Sequence, residues 1–169
     1  LLVDKANISK RAKILDVGCG IGGTSIYLSR KLNAVTTGIT ISPIQLKIAK
    51  KLARLHKVNP TFLLMDAEQM HLHLKDKFDV IWIVGVLTHL INQKKFLQNA
   101  TALLKRNGKF VLGDWMVSKN ITNSEWNEYV KPVVGGMLMS NSYSISTYIK
   151  WFEEYGYIIS YAEDITSHT

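Results

Sequence analysis

The sequence predicts an α/β fold: a mostly parallel, doubly wound sheet with helices on both faces, in three layers. Three observations carry that expectation. Short apolar runs alternate with amphipathic stretches along residues 12–113. A glycine-rich turn, Gly18-Cys19-Gly20-Ile21-Gly22-Gly23, joins the first run to the first amphipathic stretch. The run Phe78 to Val84 is nearly all apolar, as a strand buried on both faces must be.

The elements follow in order. Ala12 to Val17 reads as a buried parallel strand and Ser25 to Leu32 as the helix after the glycine turn, its N-terminus offering unpaired N–H groups to a ligand. Ala34 to Ile39 is β-branched and short enough for a second strand. Ser42 as N-cap with Pro43 at the first helical position opens the next helix. On it Lys47, Lys50, Lys51, Arg54 and Lys57 take one, solvated face and Ile44, Ile48, Leu52 and Leu55 the opposite one. Thr61 to Met65 and Phe78 to Val84 are the third and fourth strands, the fourth central. Gln93 to Leu104 has helical periodicity closed by Asn107-Gly108, and Lys109 to Gly113 makes a fifth strand.

The remainder leaves that rhythm. Asn120 to Val130 reads as a helix capped by Thr122 or Asn123, Lys131 to Asn141 as a Pro/Gly/Met-rich connection, Ser144 to Tyr155 as a helix ended by Gly156, and Tyr157 to Ala162 as a sixth strand. The expectation is one domain over all 169 residues, trimmed at both ends, because the chain starts without Met and stops just after that strand.

Composition narrows the function. No apolar run approaches the roughly 20 residues of a membrane-spanning helix, and Leu1 to Lys5 carry no signal-peptide pattern, so a cytoplasmic protein is expected. A single cysteine, Cys19, excludes an internal disulfide and a cysteine-rich zinc site. His71 and His73 alternate as on a strand with no acid or thiol to complete a metal-ligand set, and no nucleophile elbow marks a hydrolase. The formal charge is +8, yet Lys10-Arg11-Lys13, Lys75/Lys77, Lys94-Lys95 and Lys105-Arg106 are scattered pairs at element edges without interleaved aromatics. Nucleic-acid binding is therefore not expected.

Two ligand classes suit the glycine turn. Gly18, Gly20 and Gly23 satisfy the dinucleotide pattern G-x-G-x-x-G literally. Asp16 favours the other class: a carboxylate there opposes a diphosphate but attracts a ligand carrying an ammonium and a sulfonium. The run Asp16-x-Gly18-x-Gly20-x-Gly22 resembles the first motif of class I S-adenosylmethionine-dependent methyltransferases, whose fold is the Rossmann-like one. Gly38-Ile39-Thr40-Ile41-Ser42-Pro43-Ile44-Gln45 is similar to the second-strand segment of the tocopherol-methyltransferase-like and other small-molecule methyltransferases, and of the related cyclopropane-fatty-acid-synthase group. The resemblance covers residues 12–115.

It implies S-adenosyl-L-methionine as cofactor and S-adenosyl-L-homocysteine as product, and a small methyl acceptor is the expected partner, read as lipophilic from the aromatic and methionine-rich stretch after the fifth strand. In an open parallel sheet the ligand lies beyond the carboxyl ends of the strands. The expected cofactor residues are accordingly Asp16, Gly18, Cys19, Gly20, Gly22, Thr40, Ile41, Gln45, Asp66, Ala67 and Ile83. Thr40 stands where many relatives carry an acid for the ribose, so the resemblance assigns that contact to Thr40 and Gln45. Asp66-Ala67 looks like the family's adenine-binding pair. In Trp82 to His89 the related enzymes have two glutamates and a histidine; here Gly85 and Thr88 replace the acids and His89 remains as the candidate catalytic base, imidazole being the group that titrates near neutrality. Trp115, Met116, Trp126, Tyr129, Met137, Met139 and Tyr143 give the following stretch a character suited to covering an apolar acceptor or to packing. The rival readings are an NAD(P)-dependent oxidoreductase, which wants an acid about 20 residues beyond the turn, and a methyltransferase-like binding module without catalysis.

Overall fold

The computed structural model describes residues 2–166, which divide after Asp114 into two compact units. The first opens with a short helix, α1 (Leu2–Lys5), and then alternates: β1 (Lys13–Val17), α2 (Gly23–Leu32), β2 (Val35–Thr40), α3 (Pro43–Leu55), β3 (Thr61–Leu64), α4 (Met70–His73), β4 (Phe78–Val84), α5 (Gln93–Thr101) and β5 (Leu104–Gly113). The five strands form one parallel sheet in the order β3-β2-β1-β4-β5. The chain thus winds outward from β1 to β3, returns across the sheet to β4, and winds outward the other way.

That reversal fixes the layers. Right-handed crossovers put α2 and α3 on one face and α5 on the other. Alternating strand positions confirm two buried faces: Ile14, Val80, Trp82 and Val111 join Leu28 of α2 in one cluster, while Leu15, Val17, Ile81 and Ile83 on the opposite face are equally inaccessible. On the α5 side Phe96, Leu97 and Ala100 are buried. The expected fold class is the observed one.

Several elements differ in detail from the sequence reading. Helix α3 starts as expected, with the Ser42 hydroxyl accepting from the Gln45 N–H and Pro43 at its first position. Its buried residues, however, are Ala49 and Ala53, whereas Ile44, Ile48 and Leu55 are exposed. Close approach explains this. Phe62 of β3 and Ala49 sit 2.7 and 3.0 Å from where a Cβ on Gly22 would be, leaving room for alanine stems and nothing larger. Helix α5 stops at Thr101, and Asn107-Gly108, expected to end it, lie inside β5. There Asn107 takes a left-handed backbone (φ 62°) and the pairing jumps from Phe78↔Leu104 to Val80↔Lys109, a bulge. His71 and His73 fall on the helical turn α4, not on a strand.

The second unit begins with α6 (Asn123–Glu125), started by a reciprocal capping box between Thr122 and Glu125. Trp126–Val130 widens to a π turn and continues into α7 (Lys131–Gly136), where a connection is expected from sequence. Pro132 has no N–H to give back to the π turn before it, and the chain stays helical across this one missing bond. Ser144 caps α8 (Ile145–Glu154), and Gly156 (φ 81°) turns the chain after it. Tyr143, Tyr148 and Trp151 pack edge to face with centroids 4.9 to 6.1 Å apart. Tyr157 to Ala162 forms no strand among the described residues; Tyr157 instead donates its N–H to Phe152 O at 3.0 Å and packs its ring on Phe152.

Candidate functional site

The strand order places the direction switch between β1 and β4, and the crevice outside their carboxyl ends is where such a sheet receives a ligand. Register brings the expected segments to this one edge: Val17 pairs with Ile39 and Ile83, and Thr40 with Leu64, so the residues that follow each strand share a rim.

The loop after β1 turns on three left-handed glycines, Gly18 (φ 70°), Gly20 (φ 54°) and Gly22 (φ 85°). Gly18 is required twice over. Besides its φ, a Cβ there would lie 2.2 Å from Cγ2 of Val86, so the loop after β4 presses directly against it. The space opened by this glycine is filled by Val86, whereas nothing lies within 4 Å of a Cβ on Gly20, which faces open space. The Cys19 N–H is spent on Ile39 O and that of Gly22 on Cys19 O; the amides of Gly20 and Ile21 make no hydrogen bond among the described residues. These two N–H groups are ready donors for an anionic group such as a carboxylate.

Asp16 lies beneath this loop, 3% exposed. Burial pushes its carboxyl up to about 6, opposed by hydrogen bonds from Ser25, whose hydroxyl donates at 2.6 Å. A dry carboxylate with no cation beside it among the described residues is held part-way to neutrality, and a cation arriving in the crevice favours its charged form. Cys19 turns its side chain inward, against Gly38 and the Ile26–Ala49–Phe62 cluster. Burial, with Asp16 nearby, pushes its thiol up to about 12, so it is a core group and no nucleophile.

Thr40 and Gln45 are tied to one another. The Thr40 hydroxyl donates to Gln45 Oε1 at 2.8 Å and accepts from the Ser42 N–H at 3.2 Å, leaving the amide nitrogen of the exposed Gln45 side chain outward. Ile41 beside them is 76% exposed. Asp66 is exposed and caps the single turn Ala67–Gln69 by accepting from the Glu68 N–H with one oxygen; Ala67 is buried under it. Ile83 is 0% exposed, so its side chain belongs to the sheet interior and offers a ligand nothing.

The loop after β4 is organised by a residue absent from the expected set. Asp114, just past β5, accepts from the N–H groups of Val86, Leu87 and Thr88 at 3.0, 2.7 and 3.4 Å with one oxygen, and from the Thr88 hydroxyl at 3.0 Å with the other. It caps the turn Leu87–His89 from another strand. This accounts for the replaced acids. Gly85 takes a left-handed backbone (φ 67°) that disfavours a side chain, and a carboxylate at the buried position 88 would face Asp114 charge to charge. His89 ends the turn, exposed. The only sequence signal for Asp114 is an acid directly after an apolar strand.

Two open cavities lie away from this rim: one of about 560 Å³ along α2 and α3, lined by Ile26, Tyr27, Leu52 and His56 among others, and one of about 350 Å³ at the amino ends of the strands. The sheet edge with unpaired loop amides and a buried acid is chemically the better ligand site.

Among known proteins, the chain matches a family model described as a methyltransferase domain over residues 8–163. It is 32% identical over 115 residues to the chloroplastic tocopherol O-methyltransferase of Arabidopsis thaliana, covering 68% of this chain and 33% of that protein. It is 35% identical over 142 residues to the 2-methyl-6-phytyl-1,4-hydroquinone methyltransferase of Synechocystis, covering 83% and 43%. The solved structure of Haemonchus contortus phosphoethanolamine N-methyltransferase 2 in complex with S-adenosyl-L-methionine shares the fold, with a TM-score of 0.80 and 20% identity over 99% of this chain and 38% of that one. The chain spans less than half the length of these relatives. No described helix is long and apolar enough to cross a membrane.

Proposed function

The chain belongs to the methyltransferase domain family, and from that premise we propose that it moves a methyl group from S-adenosyl-L-methionine to a small, lipophilic acceptor. One observation carries this reading: a left-handed glycine loop lies directly over a buried acid at the direction switch of a parallel sheet, the loop amides and the acid having no acceptor and no cation among the described residues. The ligand that matches carries a carboxylate, an ammonium and a sulfonium together. The carboxylate suits the amides of Gly20 and Ile21, and the cations suit Asp16.

In this reading Gly18, Gly20, Gly22 and the backbone at Cys19 shape the floor of the site, Ile41 and Ala67 supply apolar contact, Gln45, oriented by Thr40, reaches the ribose, and the second oxygen of Asp66 takes the adenine amine. The role given to Ile83 reduces to its backbone. The acceptor's lone pair attacks the methyl carbon in line with the carbon–sulfur bond, whose electron pair stays on sulfur. The sulfonium becomes the neutral thioether of S-adenosyl-L-homocysteine. Positioning supplies most of the acceleration for a neutral amine or thiol, while a phenol or carbon acid must also lose a proton, for which His89 is the base. The family match runs through both units and supports reading them as one domain. Two relatives, one named for tocopherol and one for 2-methyl-6-phytyl-1,4-hydroquinone, support the lipophilic class. A cytoplasmic setting belongs to the same proposal.

Calorimetric titration with S-adenosyl-L-methionine, S-adenosyl-L-homocysteine and NAD in parallel tests it. Micromolar binding of the first two without NAD is the expected result. NAD binding alone overturns it, and binding of S-adenosyl-L-methionine without turnover on any amine, phenol or thiol acceptor favours the binding module.

A further inference from the structure

The amino ends of the strands, opposite the rim, hold a second cavity of about 350 Å³, lined by Asn7 to Ala12, Asp79, Val80 and Arg106 to Lys109. In sequence its basic residues belong to separate edge pairs; the fold brings them around one hollow. Lys10, Arg11 and Arg106 have no ion-pair or hydrogen-bond partner for their side chains among the described residues. The one acid of the lining is already satisfied: Asp79 accepts from Lys105 Nζ at 2.8 Å and from the Lys13 N–H at 2.7 Å, and the Lys105 ammonium holds its carboxyl below the ordinary value. Three free cations therefore surround a cavity whose only anion is neutralised from outside the lining.

The walls are built. Lys109 Nζ donates to the carbonyls of Ala6 and Asn7 at 2.8 and 2.7 Å, stitching the segment before β1 to β5. Three non-glycine residues with left-handed backbone, Asn7 (φ 43°), Arg11 (φ 61°) and Asn107 (φ 62°), line this one cavity. Arg11 is held there by its N–H on Leu32 O at 2.9 Å. Such conformations cost energy and persist only where the surroundings fix them.

We propose that this cavity binds a phosphate monoester, with Arg11 and Arg106 gripping the phosphate and Lys10 adding charge. Two guanidinium forks match phosphate oxygens in geometry as well as charge, and the volume admits a phosphate with part of the group it esterifies. The site is independent of methyl transfer and lies at the other end of the sheet.

The test is titration of the chain with inorganic phosphate and with a soluble phosphomonoester, followed by amide NMR shifts. A second arm measures co-sedimentation with vesicles of phosphatidylcholine containing phosphatidic acid. Saturable shifts confined to residues 7–12 and 106–109, weakened about tenfold or more in Arg11→Gln/Arg106→Gln, are expected. The charge-matched control Lys50→Gln/Arg54→Gln on α3 retains binding, which separates a site from the net charge of +8. Vesicle binding lost in the same double variant assigns the phosphate to a lipid; its absence with free phosphate bound assigns a soluble ester. Equal weakening in both double variants, shifts spread over the basic surface, or no binding in either arm overturns the proposal. Thermal melting of each variant verifies that it is folded.

Discussion

Asp16 and Asp79 are two aspartates on neighbouring strands of one sheet, and the two ends of the sheet treat them oppositely. Asp16, near the carboxyl end of β1, is pushed up to about 6 by burial, with Ser25 as a neutral partner. Asp79, near the amino end of β4, is half-buried and held below its ordinary value by Lys105 and the Lys13 amide. The first end leaves a buried acid without its cation and loop amides without an acceptor; the second neutralises its acid and leaves cations over. Each end is incomplete in the sense of its expected ligand: cationic sulfonium amino acid at one, phosphate at the other.

The sharpest way to break the contrast is at Asp16 itself. Its folded value lies above the ordinary 3.8, so its contribution to stability is fully present below about 3.8 and lost as pH rises through about 6. The unliganded chain is expected to lose about 3 kcal/mol from this group between those limits, and Asp16→Asn to remove that slope. Urea unfolding at pH 4 and pH 7 measures it; an unchanged slope in Asp16→Asn places the titration elsewhere. Gly18→Ala attacks the loop above the acid. The strained φ and the contact with Val86 together are expected to cost about 3 kcal/mol and to abolish cofactor binding, with part of the stability returned by Val86→Ala in the double variant. Independent, additive effects would mean that the two loops do not press on each other.

Asp114→Ala tests the carboxyl end from the β4 side. Losing an acceptor shared by three amides and a hydroxyl is expected to cost about 2 kcal/mol, with Asp114→Asn closer to the parent; equal stability of all three removes Asp114 as the organiser of residues 86–89. At the amino end, Lys105→Gln removes a pair whose side chains are 46% and 39% exposed, and a loss under about 1 kcal/mol is expected. A larger loss would show that this end depends on its ion pair as strongly as the other depends on burial.

What the sequence disclosed follows the same division. The first half of the sheet was legible because its signals are local: glycines at alternate positions, an acid two residues before them, and Ser42-Pro43 opening α3. The buried stripe of α3 was not, because periodicity ranks isoleucine above alanine, while the contact with Gly22 and Phe62 admits only Ala49 and Ala53. Asn107-Gly108 carries a helix-ending signal, but pairing with β4 draws it into a bulged strand. Tyr157 to Ala162 has strand composition but forms no ladder among the described residues, and a strand exists only in a ladder. The grip of Asp114 on residues 86–88 spans 26 to 28 positions, and the basic cavity joins residues 7–12 to 106–109; neither leaves a local pattern. At the site, the motif residues stand out in the sequence, but burial places the side chains of Cys19 and Ile83 in the interior.

The most direct measurement is the affinity for S-adenosyl-L-methionine between pH 5 and pH 7 in the parent chain and in Asp16→Asn. Over that range the ligand's ammonium stays charged while Asp16 ionises. Binding is expected to tighten in the parent as pH rises through about 6, and to be weak and flat in Asp16→Asn. Equal, pH-independent affinity in both would contradict the assignment of Asp16 as the counter-charge awaiting the cofactor.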